Sequence, residues 1–378
     1  MMREIGAALL SAGLLVTVPP MPAAPPVQAG GDRVEARTES STTTVRPDGG
    51  RLLTLYTGTV QMRAGAEWVP VDLTLAPGPD GVARPLAAPH DLRLTPQGPV
   101  VTFAGGGAAA LDWTTSLPAP VLAGPRATYP QARPGYDLVV EATRAGFVAS
   151  LRRGAAAPAG TPTAPVTPLA LRTTTEGGPE AHAEAEPAAQ ERGPMTEAES
   201  SVSRVVAAAP ATATVPFDTT VQSTVLRSDL GGDPDLRLGS YDGTAVARSY
   251  LTFPLAELTG RPIVSAVLRL HQDWSAGCQP RSWEVWSTAQ AGPSTRWANQ
   301  PLGEHRWAST TETRGRNPEC AAGWTGVEVT ELVRAWARGG APIGTVQLRA
   351  TDEADPASWK RMGSAESTNV PHLDVQLG

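Results

Sequence analysis

Short runs of alternating apolar and polar residues recur along the C-terminal part of the chain, from Val215 onward. In Val264–His271, for example, alanine and leucine side chains fall on one side of an extended backbone, and Arg269 and His271 fall on the other. Such alternation is typical of a strand with one buried face. The pattern therefore predicts a C-terminal region built from many short strands.

A different spacing interrupts these strands once. The apolar residues of Val329–Trp336 are placed as on one face of an α-helix, and Thr330 and Gly339 suit its N-terminal cap and its C-terminal end. Short strands, hairpin turns such as Asp242-Gly243 and a single helix predict an all-β fold. We expect residues 215–378 to form an antiparallel jelly-roll β-sandwich with one short helix.

Residues 30–153 carry a similar but less regular pattern. Trp68–Leu75 alternates cleanly, but proline borders many of the other apolar runs, which favours edge strands and a small, irregular β domain. Residues 154–214 are rich in Pro, Ala and Glu and contain no Phe, Trp or Tyr, so they cannot bury enough apolar surface to offset the entropy of ordering. They predict a disordered linker, with one transient helix near Met195–Ala208.

The first 29 residues have the features of a secretory signal peptide. Arg3 precedes an apolar run from Ile5 to Val18, and Val27-Gln28-Ala29 fits a cleavage site between small residues. The alternative is an N-terminal membrane anchor, but the run is short for a membrane span, and no later run reaches the ~18 residues that a span needs. We therefore expect a secreted, extracellular protein with no membrane contact after the signal peptide is removed.

Composition excludes one class of partner. Charged residues make up 18% of the chain, and the formal net charge is −6. Proteins that bind nucleic acids need a basic surface to neutralise phosphates. We therefore expect no nucleic-acid partner.

Cys278 and Cys320 are the two cysteines of the chain. An even number in an exported protein predicts a disulfide, and two cysteines without paired histidines make a poor zinc site. Each lies near a predicted strand end, where Cα atoms can approach to the ~5.5 Å that a disulfide needs. The alternative is a pair of free, buried thiols.

Acidic residues offer two candidate calcium sites. Asp229, Asp233 and Asp235 stand close together in one loop, and a loop with several carboxylates can supply oxygen ligands for Ca²⁺. The spacing differs from that of an EF-hand, and simple Asx turns are the alternative. Asp218 and Asp374, near the first and last strands of the predicted sandwich, are a second option. No cofactor is certain, and structural calcium is the one that we consider.

The chain has no pattern that indicates catalysis. Its five histidines are scattered outside any HExxH motif, and it has no GxSxG motif. Asp352, Glu353 and Asp355 could pair for glycoside hydrolysis, but they stand beside Pro356 in a polar stretch that favours a solvated loop. We therefore predict no catalytic residues and a protein that is not an enzyme.

Several ordered segments after residue 217 together resemble a known family. They are Arg248–Phe253, Leu258–Ala266, Trp283–Trp286, Thr295–Pro301, Val329–Trp336 and Leu348–Glu353. They are similar to a DNRLRE domain, a type grouped with carbohydrate-binding module family 96. The resemblance implies a secreted binding or scaffold module with a jelly-roll fold. Gly65–Asp72 resembles the leader region of large actinobacterial surface proteins, many of which carry RHS repeats.

Sugar binding needs an exposed aromatic platform with polar groups beside it, and arginine suits acidic sugars. If the strands that carry them pair, four outward side chains would share one sheet face and form such a site: Arg269, His271, Glu284 and Trp286. The alternative is that Trp286 covers a second core layer or the helix, since tryptophan is highly buried on average. Trp297 and Trp324 flank turn motifs, and we expect structural roles for both.

These features predict a non-catalytic module that binds a polysaccharide or a cell-wall glycan. The first alternative is a structural or adhesion scaffold related to the leader regions of RHS-type surface proteins, without sugar binding. The second is a polysaccharide hydrolase or lyase, which the lack of an identifiable acid/base pair disfavours. The sequence makes no prediction of the glycan or of the oligomeric state.

Overall fold

The computed structural model describes residues 31–103, 106–154, 167–173, 201–208, 216–227 and 229–378. The predicted signal peptide, residues 1–29, and most of the predicted linker lie outside these residues. Within them, the chain forms β-strands and one α-helix, so the all-β prediction is confirmed, while the jelly-roll connectivity stays a prediction. No helix in this part of the chain is long and apolar enough to cross a membrane.

The strands in the first part of the chain are short. They are β1 Arg33–Arg37, β2 Ser41–Val45, β3 Arg51–Tyr56, β4 Gln61–Ala64, β5 Glu67–Pro70, β6 Asp72–Pro77, β7 Ala83–Ala87, β8 His90–Thr95, β9 Gly98–Phe103, β10 Ala108–Leu111, β11 Val121–Ala123, β12 Arg126–Arg133, β13 Tyr136–Ala142, β14 Gly146–Arg153, β15 Leu171–Thr173 and β16 Ser201–Ala208.

Strands β6–β16 form two sheets around a core of their own. A six-stranded sheet has the order β15-β10-β9-β8-β7-β6, and a five-stranded sheet has the order β11-β12-β13-β14-β16. Their apolar faces share one buried cluster, in which Val101, Leu138 and Phe147 are fully buried. Burying each such side chain contributes about 1.5 to 3 kcal/mol. The N-terminal half therefore has its own hydrophobic core.

Two of these strands lie inside the segment predicted to be a linker. β15 pairs with β10, and β16 pairs with β14 along its length. The helix expected near Met195–Ala208 is wrong for Ser201–Ala208, which is extended, with Val205 and Ala207 buried against the core. The composition of the segment concealed this strand, because its stability comes from pairing with a strand about 50 residues earlier rather than from local propensity.

The remaining elements form the C-terminal sandwich. They are β17 Phe217–Gln222, β18 Asp235–Ser240, β19 Val246–Pro254, β20 Ile263–Ser275, β21 Trp283–Thr288, β22 Gly303–Thr310, β23 Gly323–Glu328, α1 Thr330–Gly339, β24 Ile343–Ala350, β25 Lys360–Gly363 and β26 His372–Leu377.

Two antiparallel layers face each other in this sandwich. In the first layer, β20 pairs with β26, β23 and β25, and in the second, β24 lies between β19 and β21, with β22 beyond β21. β18 pairs with both β25 and β19 and so joins the layers. Leu268 and Leu270 from β20 and Trp283 and Val285 from β21 meet in one core, which confirms the predicted alternation of both strands.

The first layer continues into the N-terminal part of the chain. β3 pairs with β26, so that Thr54 stands opposite Asp374 and Tyr56 opposite His372, and β2 and β1 follow at the edge. Leu53 and Leu55 of β3 belong to the sandwich core. The sandwich thus uses strands from before the predicted boundary at residue 215. Pairing between strands some 320 residues apart leaves no local pattern in the sequence.

Helix α1 is confirmed, but its ends differ from the prediction. Residue Val329 occupies the N-terminal cap position, and the Thr330 hydroxyl instead accepts a hydrogen bond from the backbone N–H of Ala266 at 2.8 Å. At the other end, Gly339 is still helical, and Gly340 adopts the left-handed conformation with φ 62°. Thr330 therefore joins the helix to β20 rather than capping it.

Candidate functional site

The four residues predicted to share one sheet face are divided between the two layers. Arg269 and His271 point outward from β20, whose partners are β26, β23 and β25. Glu284 and Trp286 point outward from β21, which pairs with β22 and β24. Because β20 and β21 do not pair and their inward residues meet in one core, the two pairs lie on opposite outer faces. The predicted four-residue cluster is therefore not formed.

The outer surface of the first layer carries a row of four rings with an arginine next to it. We call this surface the Trp324 face, and it consists of Tyr56, Arg269, His271, Trp324 and His372. In register, His372 of β26 stands between Tyr56 of β3 and Arg269 of β20, and Trp324 of β23 stands opposite His271. Leucine and valine at the intervening positions of these strands are buried in the core. The alternation of four strands thus fixes the five side chains on one surface.

Trp324 lies at the centre of this row. Its ring centroid is 5.4 Å from that of His271 and 5.1 Å from that of His372, and His372 is 5.1 Å from Tyr56. The exposure of the Trp324 side chain is unusual. At 43%, it is the most exposed Trp, Tyr or Phe among the described residues. Tryptophan is usually buried, so an indole held at the surface by flanking rings marks a surface that can take a ligand.

Arg269 stands beside this indole with part of its guanidinium available. Its Nε lies 3.3 Å from Asp374 Oδ2, and its side chain is 42% exposed. A Cβ atom at position 326 would come within 2.6 Å of Arg269 Nη1, so Gly326 leaves the space in which the guanidinium lies. Within the described residues, Nη1 and Nη2 of Arg269 donate no hydrogen bond, and both can therefore donate to a ligand.

The two histidines of the Trp324 face are held by hydrogen bonds. His271 Nδ1 lies 2.8 Å from Asp273 Oδ1 and 3.2 Å from Asn369 Nδ2, and His372 Nδ1 lies 3.0 Å from the carbonyl oxygen of Val370. Burial lowers the pKa of His372 from its ordinary value. A neutral His372 that donates from Nδ1 presents Nε2 as a hydrogen-bond acceptor.

Trp286, on the opposite outer face, is in a different environment. Arg349 of β24 lies 4.0 Å above its ring, and a Cβ atom at Gly303 of β22 would come within 3.1 Å of the ring. Residues of both neighbouring strands therefore pack against the indole, which is half-buried. Its Nε1 donates to Glu284 at 2.8 Å, and Arg306 donates to the same carboxylate at 3.0 Å.

Glu284 is almost fully buried beneath these groups. Burial opposes its ionisation, but the hydrogen bonds from Trp286 and Arg306 and the charge of Arg349 hold the pKa of Glu284 below its usual value. The cluster of Trp286, Glu284, Arg306 and Arg349 is thus internally satisfied. Its groups are engaged with one another, which is what a structural cluster requires.

A comparison with known families identifies this region. Residues 209–376 match the family model of carbohydrate-binding module family 96. The match confirms the predicted resemblance of the C-terminal region to carbohydrate-binding module family 96. We call this matching segment the family 96 module. The match begins after β16, so Tyr56 reaches the Trp324 face from outside the family 96 module. A comparison of the chain with curated proteins finds no match.

In the family 96 module, the three aspartates of the first calcium prediction are bound by different arginines. Asp229 pairs with Arg296 at 2.9 Å, and Asp235 lies 3.4 Å from Arg361. Asp233 is buried and accepts bonds of 2.8 and 2.9 Å from Arg204.

Arg237 also donates to Asp233, at 2.8 Å. Burial opposes the charge of Asp233, but Arg204 and Arg237 hold its pKa below the usual value. Because Arg204 belongs to β16, this ion pair joins the N-terminal part to the family 96 module. Within the described ranges, no three His, Cys, Asp or Glu side chains are arranged to hold a metal ion.

The second pair of predicted calcium ligands is also separated by its contacts. Asp218 Oδ2 accepts hydrogen bonds from the Thr57 hydroxyl and from the backbone N–H of Ala365, both at 2.8 Å. Burial raises the pKa of Asp218 to about 7. Asp374 instead accepts a bond from Thr54 at 2.9 Å on the surface of the first layer. The two carboxylates thus have separate structural partners.

The predicted disulfide is present. Cys278 and Cys320 are bonded, with their Cα atoms 5.7 Å apart. Cys278 follows β20, and Cys320 lies three residues before the start of β23. The bridge therefore links the two connections that cross between the layers, next to the strand that carries Trp324.

The acidic loop considered for catalysis is occupied by structural contacts. Glu353 makes two bonds of 2.7 Å to Arg248, and Asp355 pairs with Arg281 at 2.7 Å. Asp352 accepts a bond from the backbone N–H of Ala354 at 2.9 Å. Glu353 and Asp355 thus tie the loop to other parts of the family 96 module, while Asp352 bonds within the loop.

Sequence reasoning missed three members of the Trp324 face. Trp324 was expected to be structural, but it lies on β23 with Thr325 and Val327 pointing inward. The alternation over Gly323–Glu328 could have shown that Trp324 lies on the outer face of a strand. His372 alternates in the same way on the last strand, but its neighbour Tyr56 could not be placed without the pairing of β3 with β26.

Proposed function

We propose that the protein is a secreted, non-catalytic module that binds a polysaccharide through the Trp324 face. The exposed indole of Trp324, beside the available guanidinium of Arg269, is the observation that carries the proposal. The family 96 match of residues 209–376 supports the same class of ligand. The Cys278–Cys320 disulfide supports an extracellular location, because disulfides persist in oxidising compartments.

The chemistry of this face suits a sugar ring. The apolar surface of an indole can pack against the C–H face of a pyranose, while polar groups around it set the orientation of the sugar. Arg269 supplies two donor nitrogens that fit a hydroxyl pair or a carboxylate, and His372 supplies an acceptor. A surface on a sheet, open along the row of rings, suits an extended chain better than a single sugar.

Affinity electrophoresis and isothermal titration of the full chain test the proposal. The panel contains two neutral polysaccharides, xylan and mixed-linkage β-glucan, and two acidic ones, polygalacturonate and alginate. We expect binding to at least one of them, and Trp324→Ala should weaken that binding by about 2 kcal/mol, roughly thirty-fold in Kd, as for a central aromatic contact.

Trp286→Ala is the matched control, because it removes a tryptophan from the other outer face. The proposal predicts full binding by a folded Trp286→Ala variant. Retained binding by Trp324→Ala, or no binding of the wild-type protein to any member of the panel, would contradict it. The second of these results would favour a scaffold that binds no sugar.

A further inference from the structure

A polar cleft lies next to the Trp324 face, between the N-terminal five-stranded sheet and the sandwich. It has a volume of about 320 Å³. One wall is the outer face of β12–β14 and β16, where Arg126 and Ser150 stand. The other wall belongs to the family 96 module and includes Asp235, Arg361 and Asn369. The volume is at the lower end of the ~300–1,000 Å³ that is typical of small-ligand sites.

The cleft is lined mainly by charged and hydroxyl-bearing groups. The Nε of Arg361 is buried and has no hydrogen-bond partner among the described residues. Its Nη1 makes one long hydrogen bond, of 3.4 Å, to Asp235. A buried donor of this kind is costly unless a ligand or water satisfies it. On the opposite wall, Arg126 pairs with Glu141 at 3.1 Å and is 46% exposed. This lining suits a ligand rich in oxygen atoms rather than an apolar one.

Two polar contacts connect the cleft to the Trp324 face. Asp273 and Asn369 line the cleft, and both contact Nδ1 of His271, at 2.8 and 3.2 Å. His271 in turn contacts the ring of Trp324. A chain lying along the row of rings would therefore pass His271 and reach the mouth of the cleft.

We propose that this cleft is a second subsite for the same polysaccharide, and that the N-terminal region supplies one of its walls. The proposal rests on the proposed function, since the chain enters from the Trp324 face. The cleft takes a further sugar unit that bears hydroxyl or carboxylate oxygens, held between Arg126 and Arg361. Arg126 thus extends the site beyond the residues that match family 96.

The test compares two arginine variants of the full chain. Arg126→Gln removes a cleft arginine, and Arg93→Gln is its matched control, because Arg93 is 43% exposed, is paired with Asp80, and does not line the cleft. Both variants are titrated with xylan, mixed-linkage β-glucan, polygalacturonate and alginate, and with a disaccharide prepared from each. Each variant loses one exposed arginine that is paired with a carboxylate, so the two variants change the net charge of the protein equally.

We expect Arg126→Gln to weaken binding of the polymer roughly ten-fold, the effect of losing a charged hydrogen bond. Its affinity for the disaccharide, which spans only the Trp324 face, and both affinities of Arg93→Gln should equal those of the wild-type protein. Wild-type binding by Arg126→Gln would overturn the second subsite, as would an equal loss for polymer and disaccharide. If Trp324→Ala still weakens binding roughly thirty-fold in those cases, the proposed function stands. If the wild-type protein binds no member of the panel, both proposals fail.

Discussion

The two outer faces of the sandwich each carry a tryptophan beside arginine residues, but the two rings differ in their exposure and in their contacts. Trp286 has Arg349 above its ring, the backbone of Gly303 close to it, and a hydrogen bond from its Nε1 to Glu284. Trp324 is 43% exposed, and the Nη atoms of the neighbouring Arg269 are available. The presence of an aromatic residue and an arginine on a strand therefore does not define a sugar site. A surface can bind a sugar only if groups on neighbouring strands do not already cover the face of the ring or use the donors of the guanidinium.

The same contrast separates structural from binding roles among the arginines. Arg306 and Arg349 both bond to the buried Glu284, so removing either partner would leave a buried charge poorly paired. Arg269 bonds to the half-exposed Asp374 by a single long contact, which contributes little to stability. Changes on the Trp286 face should therefore act on stability, and changes on the Trp324 face on binding.

The largest expected effect on stability comes from reducing the Cys278–Cys320 disulfide. This bridge joins the β20–β21 connection to the β22–β23 connection, and both cross between the layers. The bridge spans 42 residues, and opening it should lower the free energy of unfolding by about 4 kcal/mol in the chain-entropy model. Urea unfolding of the oxidised and reduced protein measures this loss. A double Cys278→Ser and Cys320→Ser variant should match the reduced protein, and an unchanged urea midpoint after reduction would show that the bridge does not stabilise the sandwich.

The next effect is on the Trp286 face. Trp286→Ala removes a partly buried ring, its contact with Arg349 and the donor to Glu284, so it should lower the free energy of unfolding by about 3 kcal/mol. Trp324→Ala removes an exposed ring and should cost under about 1 kcal/mol. Urea titration of both variants measures the difference. Equal losses of stability in the two variants would contradict the assignment of a structural role to Trp286 and a binding role to Trp324.

The smallest effect is a pH dependence of the Trp324 face. Burial lowers the pKa of His372, partly opposed by its hydrogen bond to Val370 and by Asp374. A histidine whose folded-state pKa is depressed stabilises the fold fully above its unfolded pKa of ~6.5, and this contribution is lost as the pH falls through the folded value. Stability should therefore decrease on acidification below about pH 6.5.

His372→Gln isolates this contribution from those of the other histidines. The difference in unfolding free energy between wild type and variant, followed from pH 8 to pH 5, should shrink as the pH falls (both limits are about 1.5 units from the unfolded pKa). A difference that stays constant over this range would mean that His372 does not titrate differently on folding.

Local patterns sufficed for much of the sandwich but not for its site. Alternation placed Leu268 and Leu270 inward and Arg269 and His271 outward, and the 3.6-residue spacing located α1. The grouping of Arg269 with Trp286 failed because strand pairing is a long-range property, and β20 and β21 belong to different layers. Tyr56 joins the Trp324 face only through β3, which pairs with the last strand of the chain.

The charge pattern misled for a related reason. Asp229, Asp233 and Asp235 are close in sequence, which favoured a shared cation, but each meets an arginine from another part of the fold. Arg204, the partner of Asp233, lies in a segment whose composition indicated a linker. The sequence shows which residues are charged, and only the fold shows which opposite charges reach them.

Hydroxyl-radical footprinting tests the central claim most directly, because it reads both tryptophans in one sample of the unmodified protein. The full chain is labelled with and without the panel polysaccharide that it binds best, and oxidation of each tryptophan is measured by mass spectrometry. We expect Trp324 to be oxidised readily in the free protein and to be protected by the polysaccharide, while the lower oxidation of Trp286 does not change. Protection of Trp286 with unchanged oxidation of Trp324 would contradict the assignment of binding to the Trp324 face.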